Sequence, residues 1–318
     1  IGLMLSLFTA QEKWNYSAEE MDQIKVNGQK IRRLKENVRF AKTNRVILTD
    51  NAIQHIEDDV LYMNGNTIMI NEMDTLTCDS MVYWSKLDSG YAMGNVRYIQ
   101  SAKHRMLTTD IFHYWQTEGY RGSSFITEGY TRVIEPDKLI TANQISYDDD
   151  TQLMKLAVNA SIESPTRGIF GDEMIIHYAD SLIKEVYVTS NAFSYNDLNV
   201  RIEENGPYRR FRDEMSSKKM KAIFSNSDIT QLELMNMAMT SYHVINDSLL
   251  VGNNEASGDS IRIDFWNGNI SRIQVFGGAL GEFKPEGTNS KVDTTVYYAA
   301  DYLDYHIDDK KTFLSKNA

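Results

Sequence analysis

GNVRYIQSAKHRMLTTDIFHY, residues 94–114, decides the fold. A Gly-Asn pair opens a run of alternating apolar residues, Val96 and Tyr98. About a dozen residues later Thr108-Thr109-Asp110 is followed by Phe112 and Tyr114, again at every second position. Side chains two apart share a face of a β-strand, so both runs read as strands with one apolar face. The same small or hydroxyl residue, any residue, then Asp or Asn recurs at Thr49-Asp50-Asn51, Thr77-Cys78-Asp79, Thr141-Ala142-Asn143 and, more loosely, Phe170-Gly171-Asp172. It returns at Ser257-Gly258-Asp259 and Ala299-Ala300-Asp301.

Aligned on the Asp or Asn, two columns emerge. Ile53, Met81, Phe112, Ile145, Met174, Ile261 and Leu303 stand two residues on, and His55, Tyr83, Tyr114, Tyr147, Ile176, Ile263 and Tyr305 four residues on. Only His55 is polar. Both columns are expected to point the same way and to build a continuous apolar and aromatic wall. The companion element, at Glu36-Asn37, Gly65-Asn66, Gly94-Asn95 and Gly129-Tyr130, keeps step with the first and is expected to open short strands after tight turns. A hairpin is expected at Asn267-Gly268-Asn269. A unit of about 30 residues cannot bury its apolar face alone, so neighbouring units must stack.

Composition agrees. The 318 residues include 18 Tyr and 12 Phe and only 4 Pro, a balance that favours strands. A net charge of −11 argues against nucleic acid as the main partner, because phosphate backbones need clustered Lys and Arg. Cys78 stands alone and cannot form an intrachain disulfide. The apolar segment 1–10 (IGLMLSLFTA) reads as the tail of an export signal, and no stretch has the roughly 18 apolar residues of a membrane helix. The start at Ile1 and the end at Ala318 read as those of a piece of a longer product.

Enzyme signatures such as Gly-x-Ser-x-Gly, His-Glu-x-x-His and the phosphate-binding Gly-x-x-x-x-Gly-Lys are missing. A non-catalytic protein is expected, with no catalytic residue, metal or cofactor. The runs Asp148-Asp149-Asp150 and Asp308-Asp309 follow apolar strands and read as solvated turns. Residues 209–221 gather Arg209, Arg210, Arg212, Lys218, Lys219 and Lys221, and the three arginines are candidates for a headgroup phosphate. The alternative is a solvated loop. Met235, Met237 and Met239 read either as core or as an adaptable acyl-accepting surface.

The quoted motifs, LTTDIFHY (107–114) with LTCDSMVY (76–83), ITANQISY (140–147) and LTDNAIQH (48–55), resemble the OstA-like repeat of the LptA family. That family includes periplasmic bridge proteins and the periplasmic domain of LptD. The resemblance implies an open β-jellyroll of antiparallel strands whose apolar interior shields the acyl chains of lipopolysaccharide. It also implies a periplasmic location and end-to-end contacts with other Lpt components through edge strands. Ile53, Met81, Tyr83, Phe112, Tyr114, Ile145, Tyr147, Met174 and Ile176 are the candidate lining, or equally the core between sheets. The expected organisation is a residual signal segment over 1–10, a linker over 11–35 and a jellyroll module over 36–195. A divergent junction over 196–250 and a second, truncated module over 251–318 complete it. The segment 17–25 reads as linker in preference to a short capped helix. Two other readings stay open: a right-handed β-helix enzyme acting on acidic polysaccharide, and a ligand-free surface repeat.

Overall fold

The computed structural model describes residues 14–42, 44–72, 74–116, 123–286, 290, 292–307 and 311–315. The apolar segment 1–10 and the Asp308-Asp309 run lie outside the described residues. Among those described there are strands, one 3-10 turn (Ser101–Lys103) and no α-helix, so the chain is all-β. Its contacts divide it into two compact units, residues 1–129 and 130–318.

The first unit holds β1 (Asn15–Ser17), β2 (Glu20–Val26), β3 (Gln29–Lys42), β4 (Arg45–His55), β5 (Val60–Asn71), β6 (Asp74–Trp84), β7 (Ser89–Gln100), β8 (Arg105–Gln116) and β9 (Ser123–Glu128). From β3 to β9 consecutive strands pair antiparallel, and β1 and β2 both pair with β3. Residues 14–35, expected as a linker, are therefore mostly ladder. Their alternation is masked in the sequence by charges, because β2 exposes nearly every residue.

Every ladder from β3 to β8 breaks near its middle, with shifts between Lys35 and Val38, Leu48 and Asn51, Asn64 and Thr67, Thr77 and Ser80, and Met93 and Val96. Glu36-Asn37, Gly65-Asn66 and Gly94-Asn95 occupy these breaks with positive φ. Gly129-Tyr130, just after β9, does precede a short strand (Thr131–Ile134) as expected, but at the other three places the recurring element does not open a strand after a turn. It is a bulge inside one long strand, where two left-handed residues bend the chain while the ladder resumes beyond them.

Bending each long strand creates two walls whose inner faces meet. Tyr98, beyond the bend of β7, packs its ring 5.2 Å from that of Phe112 on the other wall. The Tyr114 hydroxyl donates to Met69 Sδ at 3.2 Å, and Trp14 sets its edge against both Phe40 and Tyr83.

Opposite the bulges at Gly65-Asn66 and Gly94-Asn95 sits the aspartate of the other motif, whereas Asn37 bonds Glu19 instead. Asn66 Nδ2 donates to Asp50 Oδ2 at 2.9 Å and Asn95 Nδ2 to Asp79 Oδ2 at 2.8 Å. A Cβ added at Gly65, Gly94 or Gly129 would fall within 2.8 Å of Asp50, Asp79 or Asp110 Oδ2. These clasps correct the alignment of the first repeat: Asp50, not Asn51, is the counterpart of Asp79 and Asp110. A slip of one residue moves a strand's side chains to the opposite face. Ile53 is accordingly 42% exposed on the outer face, in a row of Cα partners with Tyr62, Val82, Tyr91, His113 and Ile126. His55, the one polar member of its column, carried the sign of that slip.

The second unit holds β10 (Thr131–Ile134), β11 (Leu139–Ala142), β12 (Gln144–Asp148), β13 (Leu153–Glu163), β14 (Arg167–Ala179), β15 (Leu182–Val188), β16 (Ala192–Arg201), β17 (Tyr208–Ser217), β18 (Lys219–Ser225), β19 (Asp228–Asn246), β20 (Leu249–Trp266), β21 (Asn269–Pro285), β22 (Val296–His306) and β23 (Lys311–Ser315). Bulges recur at Val158-Asn159, Asn236-Met237 and Gly277-Gly278. Elsewhere a strand breaks at the corner: β15 and β16 pair with opposite halves of β14, and β18 and β17 with successive parts of β19. Residues 196–250, expected as a divergent junction, contain β17, β18, β19 and the start of β20. The β20–β21 hairpin turns at Asn267-Gly268, both with positive φ. That pair of left-handed residues matches the twist of the strands it joins.

A candidate apolar ligand cavity

Eight of the nine sequence-derived lining residues face inward. Met81, Tyr83, Phe112 and Tyr114 are buried in the first unit, and Ile145, Tyr147, Met174 and Ile176 in the second. Inside the first unit these side chains are packed against one another. The space beside Phe112 and Tyr114 measures only about 20 Å³, the room of about one water.

A far larger space lies in the second unit. About 540 Å³ is lined by β19, β20, β21, β22 and β23 and the segment before β22, through Val244, Ile245, Val251, Phe283, Leu303 and Ile307 among others. That volume falls within the roughly 300–1,000 Å³ of ordinary ligand pockets. Val292, Val296 and Leu314 add exposed apolar side chains to its lining. Leu303 and Tyr305 come from the sequence columns; the remainder went unseen because β19 carries no such block and the β20 residues of the lining, Val251 and Asn254, precede the Ser257-Gly258-Asp259 block of that strand.

Polar groups interrupt this lining at Asn246, Ser290 and Thr312 and along one hydrogen-bonded chain. The Tyr298 hydroxyl donates to Asn254 Oδ1 at 2.9 Å, and Asn254 Nδ2 donates to the Tyr242 hydroxyl. Burial pushes the Tyr298 phenol up to about 12 and the Tyr242 phenol well above its usual value. Both remain neutral at ordinary pH, so the cavity presents aliphatic surface with a neutral hydrogen-bonding patch. Among the described residues that line it there is no Asp, Glu, Lys, Arg or His.

The candidate phosphate arginines lie elsewhere. Arg212 forks onto Asp197 through Nε (2.8 Å) and Nη2 (3.0 Å), its guanidinium 3.9 Å from the Tyr195 ring centroid, and Arg210 Nη2 bonds the same carboxylate. Arg209 is exposed on β17, and none of the three lines the cavity. Hydrogen bonds from Arg212, joined by Arg210, hold the Asp197 carboxyl down to about 2. Because the folded value is depressed, the stabilisation is complete above the ordinary value of 3.8 and fades as pH falls toward 2. The second unit is therefore expected to lose thermal stability between pH 4 and 2 more steeply than Asp197→Asn does. Parallel melting curves of the two proteins over that range check this. Of the methionine stripe, Met237 and Met239 are exposed and line no cavity described here.

Among the described residues no group of three or more His, Cys, Asp or Glu is placed to hold a metal ion. Cys78 is buried, and burial pushes its thiol up to about 12.

No known protein family matches the chain, and no curated protein does. One solved structure similar to it is that of LptH, the LptA-homologous periplasmic component of the conserved lipopolysaccharide transport device from Pseudomonas aeruginosa. It is 9% identical over 44% of this chain and 79% of that chain, with a TM-score of 0.22.

Proposed function

We propose that this chain is a non-catalytic lipid-handling protein of the OstA-like kind, sheltering acyl chains of lipopolysaccharide or a related glycolipid in the 540 Å³ cavity of its second unit. The observation that carries the reading is that cavity's lining: mostly aliphatic and aromatic, with no carboxylate among the described residues that form it, and continued by exposed Val292, Val296 and Leu314. The repeat motifs quoted above support the choice of lipid.

Transferring a chain of about 12 carbons out of water is worth roughly 10 kcal/mol, at about 0.8 kcal/mol per methylene. An apolar lining offsets most of that loss while the lipid is away from a membrane. Function in the periplasm, as part of outer-membrane assembly, follows from the same reading. So does docking through edge strands. Among the described residues β23 pairs only with β22, and all five of its residues are exposed. Its unpaired backbone groups suit strand addition by another Lpt component.

Site-specific photocrosslinking in Gram-negative cells tests the proposal. Probes replacing Val296 and Leu314 are expected to yield lipopolysaccharide adducts, whereas probes at Ile53 and Tyr62, on the outer face of the first unit, are not. All four positions are well exposed, so the probes leave the core intact. Equal labelling at all four, or none at Val296 and Leu314, would refute the reading.

A further inference from the structure

A second space of about 290 Å³ lies in the same unit and shares no lining residue with the first. Its walls are built largely from Ile162, Ile169, Met215, Phe224, Ile229 and Phe265. Into this apolar setting β14 brings Arg167 and β16 brings Asn196.

Arg167 is held in place by two hydrogen bonds: Nε donates to Asn196 Oδ1 at 3.0 Å, and Nη2 to the Gly268 carbonyl at 2.6 Å. Three of its five N–H groups are left over. No carboxylate stands within 4.0 Å of the guanidinium among the described residues. Asn196 is only 5% exposed, and its Nδ2 has no hydrogen-bond partner among the described residues. An unpaired buried amide and a guanidinium without a counter-charge are both costly arrangements. A single anionic group between them answers both deficits.

The other charges that face this space do not supply it. Lys138 is taken by Asp137 at 2.7 Å and Glu135 at 3.8 Å. Asp228 sits on the exposed rim, where water screens it. Burial lowers the pKa of Arg167 and Asp228 partly counters it, the behaviour of a cation short of a close partner.

We infer that this second cavity binds an anion-headed amphiphile, a carboxylate or a phosphate monoester on a short alkyl or aryl body, through the free N–H groups of Arg167 and Asn196. The guanidinium fork suits either kind of oxyanion, and the apolar walls take the body.

The test uses the full chain at neutral pH, titrated calorimetrically with octanoate, octyl phosphate and octanol. Both anions are expected to bind at least about tenfold more tightly than octanol, and their ratio separates carboxylate from phosphate. Asn196→Asp keeps the acceptor for Arg167 Nε but sets a negative charge against the ligand. It is expected to weaken both anions about tenfold while leaving octanol unchanged. Asp228→Asn, at the solvated rim, is expected to tighten the anions about twofold to threefold and serves if the first variant folds poorly. Equal binding of octanol and the anions, or anion affinities that neither substitution moves, would overturn the inference. Charge-dependent binding is read separately from the crosslinks at Val296 and Leu314, so either proposal can fail without the other.

Discussion

Gly94→Val is expected to lower the stability of the first unit by about 3 kcal/mol or more, whereas Gly28→Val costs about 1–2 kcal/mol. Both glycines have positive φ, +74° and +87°. A side chain pays the left-handed penalty at either site, about 1–2 kcal/mol. They differ in what surrounds them. Nothing lies within 4 Å of a Cβ at Gly28, in the β2–β3 turn, while a Cβ at Gly94 would sit 2.4 Å from Asp79 Oδ2 and 3.0 Å from Asp79 Cβ. Relief requires Asp79 to swing away and give up its 2.8 Å bond from Asn95, and the bend that lets β7 serve both walls loosens with it. Urea unfolding of the two variants measures the gap. Asp79→Ala supplies the control: it loses about 1 kcal/mol alone but should recover part of the Gly94→Val loss when combined, since the clashing carboxylate is gone and only the 3.0 Å approach to Cβ remains. Strict additivity would mean that the clasp does not couple the strands.

The clasp explains why this fold was legible in some places and opaque in others. Where Gly-Asn faces a Thr-x-Asp or similar block, as at Gly65 with Asp50 and Gly94 with Asp79, the residue types that tolerate left-handed backbone recur at a fixed spacing. The period, the all-β class and the inward columns of Met81, Tyr83, Phe112 and Tyr114 follow from that. What the types do not reveal is whether two left-handed residues end a strand or bend it, because Gly and Asn serve both roles. Hence bulges were read as turns. The same bends are made at Val158-Asn159 and Asn236-Met237, where a single Asn is paired with a residue that carries no turn signal. Val158 is 55% exposed at φ +63°, a strained choice for a β-branched residue, and nothing in its type announces the corner. At Asn236-Met237, in β19, the same silence hides the repeat within the stretch 196–250 that the sequence suggests is a junction. The large cavity was hidden for a different reason. Its lining comes from the last five strands of the chain, between Tyr242 and Leu314, and an apolar inward residue reads alike whether it meets a neighbour or an open space. Of its members, Leu303 and Tyr305 were visible only as rungs of a column.

A charge pair inside the aromatic core of the first unit leads to the second large effect: Asp88→Asn is expected to cost about 3 kcal/mol, and much of that should return when Arg45→Met is added. Arg45, at the start of β4, reaches across to the β6–β7 turn. There Nη2 meets Asp88 Oδ2 at 3.1 Å and Nη1 meets Oδ1. The Tyr83 hydroxyl donates to Asp88 at 2.9 Å and also accepts from Arg45 Nη1. The arginine side chain is mostly buried, and its Nε has no hydrogen-bond partner among the described residues. Asn preserves the shape of Asp88 and tolerates its φ of +46°, so the substitution removes charge and little else. It strands a guanidinium among Met69, Phe112 and Tyr114, where water has almost no access. Breaking a buried pair in this way costs about 3–5 kcal/mol, less where one partner is partly solvated, as Asp88 is. Methionine at position 45 removes the stranded charge and refills the space with a flexible apolar chain. Denaturant titrations of both single variants and the double variant decide the matter. A double variant no more stable than Asp88→Asn alone would show that the pair is held by Tyr83 and the turn, with attraction between the two charges contributing little.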